Sequence, residues 1–294
     1  MFGPTASGKT AVAEAVADRI PAELVSADAM QVYRGLPILT NQPERPTRLV
    51  AVWPLTHEAS VGEYQRLAHE AIDETLAVGR TPVVVGGTGL YLRAALSNLE
   101  IPPAPAPGER ERWERLYDRL GGEQAHVALA ERDPAAAAAI HPNDRRRVVR
   151  ALELAEAGQS LHGEGLWGTD CRHPTAVFGL DVPKEVLERR IEQRTAAMLD
   201  AGVEEEVRRA LAGPLSPTAR KVLGLHEVAS LPREQALDAI VMRTRRYAAY
   251  QRKWMRRIPG LVRVGADSPP GEAADEIIAL VAEGRLVSRR PIRR

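Results

Sequence analysis

The sequence holds a single cysteine, Cys171, so no disulfide can form within the chain. Aromatic residues make up 4% of its 294 residues and only two are Phe, which leaves Ala, Val and Leu to pack a core. No uninterrupted apolar stretch approaches the roughly 18 residues of a membrane span. Charge of one sign is also missing. Forty basic residues face 39 acidic ones for a net charge of +1, which excludes a chain coated uniformly for nucleic acid. Hydrophobic residues at 44% and charged residues at 27% exclude a disordered or collagen-like chain and fit a soluble globular one. Lysine is scarce: Lys9, Lys184, Lys221 and Lys253 are the only four, and all other cations are Arg. The Arg excess reads as the bias of a GC-rich genome. Against that bias Lys9 carries information, because a compact ammonium fits a tight anion loop where a flat guanidinium does not.

Lys9 belongs to Gly3-Pro4-Thr5-Ala6-Ser7-Gly8-Lys9-Thr10, a G-x-x-x-x-G-K-T motif opening a helix. Such a loop turns backbone N–H groups toward an anion at a helix N-terminus. Lys9 can bridge phosphate oxygens and the Thr10 hydroxyl can hold Mg²⁺. A nucleotide or a pyrophosphate compound is the expected ligand. A phosphate loop ordinarily follows a buried strand of four or five apolar residues, yet only Met1 and Phe2 precede Gly3. A late-called start codon accounts for this more simply than a lost strand. The motif also leaves no room ahead of it for a signal peptide, so a cytoplasmic protein, without a membrane segment and monomeric, is expected.

Periodicity predicts a helix over 11–19, a strand at Ala22–Ser26, a helix over 61–78, a strand at Val83–Val85, and a further helix near Leu90. Alternating strands and helices predict an α/β fold, a P-loop NTPase-like parallel sheet with helices on both faces. The Pro-rich run 101–108 reads as a linker. From 109 to 157 the pattern is helical, broken at Gly121-Gly122 and at His141-Pro142-Asn143-Asp144, with Asp144 a cap for the next helix. The stretch 158–172 reads as loop. Strand character returns at 176–180 and a helix follows over 184–201. Helices are expected from there to about 284, then a short frayed basic tail over 288–294. The predicted division is a catalytic core of 1–107 and 170–294 around an all-helical insert of 108–169.

Asp28 follows the strand Leu24-Val25-Ser26 and is placed for metal or proton transfer, or else as a turn or cap aspartate. The strand at Val83–Val85 ends in Gly86-Gly87-Thr88, without the acid that an ordinary P-loop ATPase uses for Mg²⁺. No acidic residue lies between Asp238 and Asp267, where Arg243, Arg245, Arg246, Arg252, Lys253, Arg256 and Arg257 alternate with Tyr247, Tyr250 and Trp254. Positions 243, 246, 250, 253, 254 and 257 share one helical face. That face suits phosphate contact and base stacking, or it is a solvated face with its aromatics in the core. Cys171 and the scattered histidines show no metal-ligand spacing.

The phosphate loop, the segment Ser26-Ala27-Asp28-Ala29-Met30-Gln31-Val32-Tyr33 and the segment Gly86-Gly87-Thr88-Gly89-Leu90-Tyr91 together resemble the tRNA dimethylallyltransferase family. Asp133-Pro134, Ile140-His141-Pro142-Asn143-Asp144, Met198-Leu199, Gly202 and the stretch from Thr244-Arg245 to Gln251 and Trp254 agree with it. The resemblance implies transfer of a dimethylallyl group from its diphosphate to N6 of the adenosine 3′ of the anticodon. It implies that the phosphate loop (Gly3, Pro4, Thr5, Ala6, Ser7, Gly8, Lys9, Thr10) grips the donor with Mg²⁺ at Thr10, and that Lys221 falls where some relatives place a cation on the diphosphate. Asp28 matches the aspartate that takes the N6 proton, and Thr88 a residue that touches the target nucleotide, unless it merely caps the next helix. Ala29, Met30 and Gln31 would line the adenosine's opening. Arg110, Arg146, Arg147 and Arg150 of the insert, with Arg243, Thr244 and Arg245, match positions of tRNA contact. The insert would clamp the anticodon stem-loop.

The chain departs from the family pattern at Leu39-Thr40-Asn41-Gln42-Pro43, at Thr47-Arg48-Leu49-Val50-Ala51 and at Ala248-Ala249-Tyr250-Gln251, losing cations near the substrate. On the residues alone, the rival reading is a P-loop kinase of a small molecule.

Overall fold

The computed structural model describes residues 1–102, 105, 108–160 and 168–284. The expected tail over 288–294 and part of the loop over 158–172 lie outside them. The chain divides into two compact units, Met1–Asn98 with Thr169–Arg294, and Leu99–Gly168. The first junction falls after Asn98, not after Pro107, because the core closes on itself at the end of the third helix. There Ser97 Oγ donates to Asp170 O at 2.6 Å, and Arg172 N donates to Leu96 O at 2.8 Å. These bonds tie the outgoing chain of the core to its return.

In the larger unit, β1 (Ala22–Ser26) pairs in parallel with β2 (Thr81–Val85), Leu24 opposite Val83. A second parallel pair joins β3 (Phe178–Asp181) to β4 (Val262–Gly265). β4 interrupts a stretch where helices were expected to dominate. It is four residues long and largely uncovered, so it shows no run or alternation that sequence could reveal. Phe2 links the two pairs. It forms parallel bridges to Gly86 and Gly179, and its N–H donates to Phe178 O while its carbonyl accepts from Leu180 N, both at 2.8 Å. Phe2 is fully buried. It therefore occupies the place of the central strand that should lead into a phosphate loop. On the outer side of β1, Arg48 forms a single parallel bridge to Val25. Leu49 and Ala51, at φ 65° and 53°, stop any longer strand there.

Period two decides what each sheet face meets. Leu24, Val83 and Val85 pack with Val12, Ala13 and Val16 of α1 (Lys9–Ala17) and with Ala273, Ala274 and Ile277 of α12 (Pro270–Ala282). α2 (Val61–Ala77) packs on β1, β2 and α3 (Gly89–Leu96), outside that cluster, so helices cover both faces. Ser60 starts α2 by accepting from Glu63 N at 3.2 Å. α8 (Lys184–Asp200) packs against the long α11 (Arg233–Met255), with α9 (Val203–Leu211) and α10 (Leu225–Ser230) between them in the chain.

The smaller unit is helical, with α4 (Glu109–Leu120), α5 (Gly122–Arg132), α6 (Pro134–Ala139) and α7 (Arg145–Glu156) around Trp113, Leu129, Val148 and Leu152. Asp133 caps α6 and Asp144 caps α7, accepting from Ala136 N at 2.9 Å and Arg147 N at 3.2 Å.

Candidate active site

The phosphate loop leaves the sheet after Phe2 and turns into α1. Ala6 (φ 63°) and Gly8 (φ 87°) are left-handed with Ser7 between them, the alternation that points successive N–H groups into a concavity. Lys9 Nζ donates to Pro4 O at 2.7 Å, so the loop's own carbonyl holds the ammonium ready. Burial pushes the Lys9 pKa down to about 8; Asp28 opposes that shift and Arg194 adds to it.

The loop forms one wall of a cavity of about 360 Å³. Thr5, Ala6, Gly8, Lys9 and Thr10 line it together with Asp28, Met30 and Gln31, all within the larger unit. The anion cradle and the carboxylate read from sequence thus face a common space.

Asp28 lies just past the tip of β1. Its Oδ1 accepts from Met30 N at 2.9 Å, which turns the chain and aims the carboxylate. This is the turn role, and it leaves the second carboxylate oxygen for chemistry. Thr88 sits at the N-cap position of α3 but makes no side-chain cap there. Its hydroxyl instead accepts from Ala29 N at 3.0 Å and bonds the Tyr247 hydroxyl. Tyr247, partly buried and held protonated by that burial, lines the cavity and does not share the outer face of α11.

Gln251 ties these parts together. It is 2% exposed, accepts from Thr5 N at 2.7 Å and donates from Nε2 to Gly87 O at 2.8 Å. α11 is thereby clamped to both the phosphate loop and the turn that carries Thr88. The close approach requires the glycines: a Cβ on Gly87 would lie 2.1 Å from Gln251 Nε2, and one on Gly89 2.1 Å from the Trp254 ring. Two arginines one turn apart on α8, Arg190 and Arg194, close another wall. Arg194 Nη2 donates to Thr5 Oγ1 at 2.6 Å.

Side chains from several parts of the larger unit hold the segment 39–43. Gln42 Nε2 donates to Tyr33 O at 2.8 Å, and both carboxylate oxygens of buried Glu206 accept, at 2.8 Å, from Ile38 N and Leu39 N. Gln31 Nε2 adds a bond to Asn41 O at 2.8 Å.

The profile of the IPP transferase family matches residues 31–258. The chain belongs to the IPP transferase family. A tRNA dimethylallyltransferase of Streptomyces coelicolor is 43% identical over 272 residues, covering 88% of this chain and 87% of that protein. One from Corynebacterium jeikeium is 39% identical and covers 96% of each. Among solved structures, the full-length tRNA isopentenylpyrophosphate transferase of Bacillus halodurans aligns with a TM-score of 0.71 at 30% identity, over 97% of this chain and 95% of that one. A eukaryotic dimethylallyltransferase acting on tRNA shares the fold, with a TM-score of 0.73 at 22% identity. The fold is thus the P-loop type found in these transferases.

The remaining candidates of this family member are spread more widely. Lys221 is exposed on the short 3₁₀ turn Ala219–Lys221 and is not among the cavity-lining residues; Leu223 is. Thr244 is buried and lines the cavity, whereas Arg243 pairs with Glu227 and Arg245 with Glu192. Three successive helical positions point about 100° apart, so they cannot share one wall. Arg243, Arg246, Tyr250, Lys253 and Arg257 of the expected face are exposed, whereas Trp254 of the same face is half-buried with its ring against Gly89. In the smaller unit, Arg110 and Arg150 hold the buried Glu153 carboxylate at 3.0 and 2.9 Å, while Arg146 and Arg147 are exposed. The sequence reading assigned no role to Arg190, Arg194, Gln42 or Gln251. Arg190 and Arg194 carry the i, i+4 spacing of one helix face, which an Arg-rich composition hides.

Proposed function

We propose that this chain is a tRNA dimethylallyltransferase, moving the dimethylallyl group of dimethylallyl diphosphate to N6 of the adenosine 3′ of the anticodon. The observation that carries this reading is the single cavity that joins the phosphate loop to Asp28. An allylic diphosphate ionises readily once its charge is neutralised, so positioning and anion stabilisation supply most of the catalysis. The C1–O bond breaks with its electron pair going to the diphosphate, and the N6 lone pair forms the new bond to C1. The amine of adenine is a poor nucleophile because its lone pair is delocalised. Asp28 orients it and takes the N6 proton as the bond forms. Lys9 and the loop N–H groups hold the departing diphosphate, and Thr88 with Tyr247 borders the acceptor. The adenosine must leave the anticodon-loop stack to reach this space, as bases undergoing chemistry do.

The residues fit a Mg²⁺ ion. Thr10 and Asp28 border the same cavity, and no cluster of three or more His, Cys, Asp or Glu occurs among the described residues. Few protein ligands, with substrate oxygens and water completing the shell, is the arrangement Mg²⁺ prefers. When bound, with Thr10 as a ligand, the ion neutralises diphosphate charge.

The test is transfer of label from radiolabelled dimethylallyl diphosphate to unmodified tRNA carrying adenosine 3′ of the anticodon, with ATP offered in a parallel reaction. Label on the tRNA is expected. ATP turnover with no label on the tRNA would overturn the reading in favour of a kinase.

A further inference from the structure

Most side chains that line the cavity of the phosphate loop and Asp28 are polar, Lys9, Thr10, Gln31 and Gln251 among them. Leu24 and Val85 border it from the sheet, where they already pack with α1. Two further leucines, Leu39 and Leu223, border it from loops outside the sheet, far apart in the chain. They come together at Gly224. A Cβ on that glycine would lie 2.8 Å from Leu39 Cδ1, so the Leu39 methyl rests on the backbone next to Leu223. Gly224 has a φ of 93°, which keeps the position a glycine and the contact close. Leu39 has no room to retreat. It is 9% exposed, and its N–H donates to Glu206 Oε1 at 2.8 Å. Ile240, itself buried, lies 3.8 Å from the same Cβ position and backs the wall. Leu39 also opens the first of the segments in which this chain departs from the family pattern.

We infer that Leu39, flanked by Leu223, is the stop that limits the donor's prenyl chain to five carbons. The inference rests on the donor reading given above. The donor has two ends of opposite character. Its diphosphate goes to the loop, and C1 must lie between that loop and the amine held by Asp28. The hydrocarbon beyond C1 gains most by covering apolar surface. Leu223 is only half-buried, so the Leu39–Leu223 wall has surface left to cover. Chemistry does not separate the donor from a longer allylic one. Geranyl diphosphate, with ten carbons, breaks the same C1–O bond with the electron pair going to diphosphate. It forms the same N6–C1 bond, and the same N6 proton leaves. Only space tells the two apart. The cavity of about 360 Å³ must also admit an adenine. A wall packed on a glycine backbone and backed by Ile240 yields only at the cost of overpacking.

The test is kcat/KM for dimethylallyl and for geranyl diphosphate, with the same unmodified tRNA, in the full chain and in its Leu39→Ala and Leu223→Ala variants. The parent is expected to favour the dimethylallyl donor by roughly 100-fold or more, and Leu39→Ala to lower that preference by roughly 10-fold or more. A general loss of structure lowers both donors together and leaves their ratio alone, so the ratio reports the wall itself. A ratio in Leu39→Ala equal to the parent's would overturn the inference and leave the donor reading standing. So would a parent that uses geranyl diphosphate as readily as dimethylallyl diphosphate. A parent that transfers neither prenyl group would overturn the donor reading, and the inference with it. Should Leu39→Ala fail to fold, Leu223→Ala, which truncates a half-buried side chain, decides: a ratio equal to the parent's overturns the inference.

Discussion

The Lys9 ammonium is bonded to Pro4 O, and burial holds its pKa down to about 8. An anion needs the charged form, which the free protein loses as pH rises through that value. The kcat/KM for the prenyl donor is therefore expected to be level below about pH 8 and to fall up to tenfold per unit above it. A level profile to about pH 10 would contradict the assigned role of Lys9. Asp28→Asn keeps the side chain's size and can still turn the chain but cannot take a proton. It is expected to lower kcat by about 10²- to 10⁴-fold with tRNA affinity little changed, as single-turnover and binding measurements would report. The motif residues were legible because short-range spacing encodes them. Arg194 and Gln251 were not, since they meet Thr5 from 189 and 246 residues away. No local pattern marks such a contact. Thr88 shows a subtler limit: its position reads as a helix cap, yet its hydroxyl serves Ala29 and Tyr247.

The Gly86-Gly87-Thr88-Gly89 turn owes its composition to the packing of α11 as much as to chemistry. Gly89→Ala is expected to cost about 1–3 kcal/mol, because its Cβ would overlap the Trp254 ring and force one helix to shift. Chemical denaturation would measure this, and an unchanged midpoint would mean that Trp254 moves freely. The helices were readable from their periodicity and caps, as Asp144 at α7 illustrates. β4 was not, since a short strand with one buried residue leaves no alternating pattern. Phe2 presents the same problem at its extreme: two bridging neighbours make a central strand out of one residue. At 39–43 the sequence suggested a lost cation. The structure shows the segment held by Gln42, Gln31 and Glu206, contacts that no local pattern in the sequence marks.

Over the whole molecule, a net charge of +1 conceals a basic face on α11, where Arg246 and Lys253 are exposed and lack an ion pair among the described residues. If that face meets tRNA phosphates, replacing both residues with Gln is expected to lower the slope of log affinity against log salt by about 1 for each lost contact. An unchanged slope would place the phosphate contacts elsewhere. Among the described residues no helix is long and apolar enough to cross a membrane. The most direct test of the account is to react the full chain with dimethylallyl diphosphate and an unmodified tRNA, digest the tRNA to nucleosides and identify the modified one by mass spectrometry. The account predicts an N6-dimethylallyl adenosine from the position 3′ of the anticodon, absent when Asp28→Ala is used. Modification at another position, or equal product from Asp28→Ala, would contradict it.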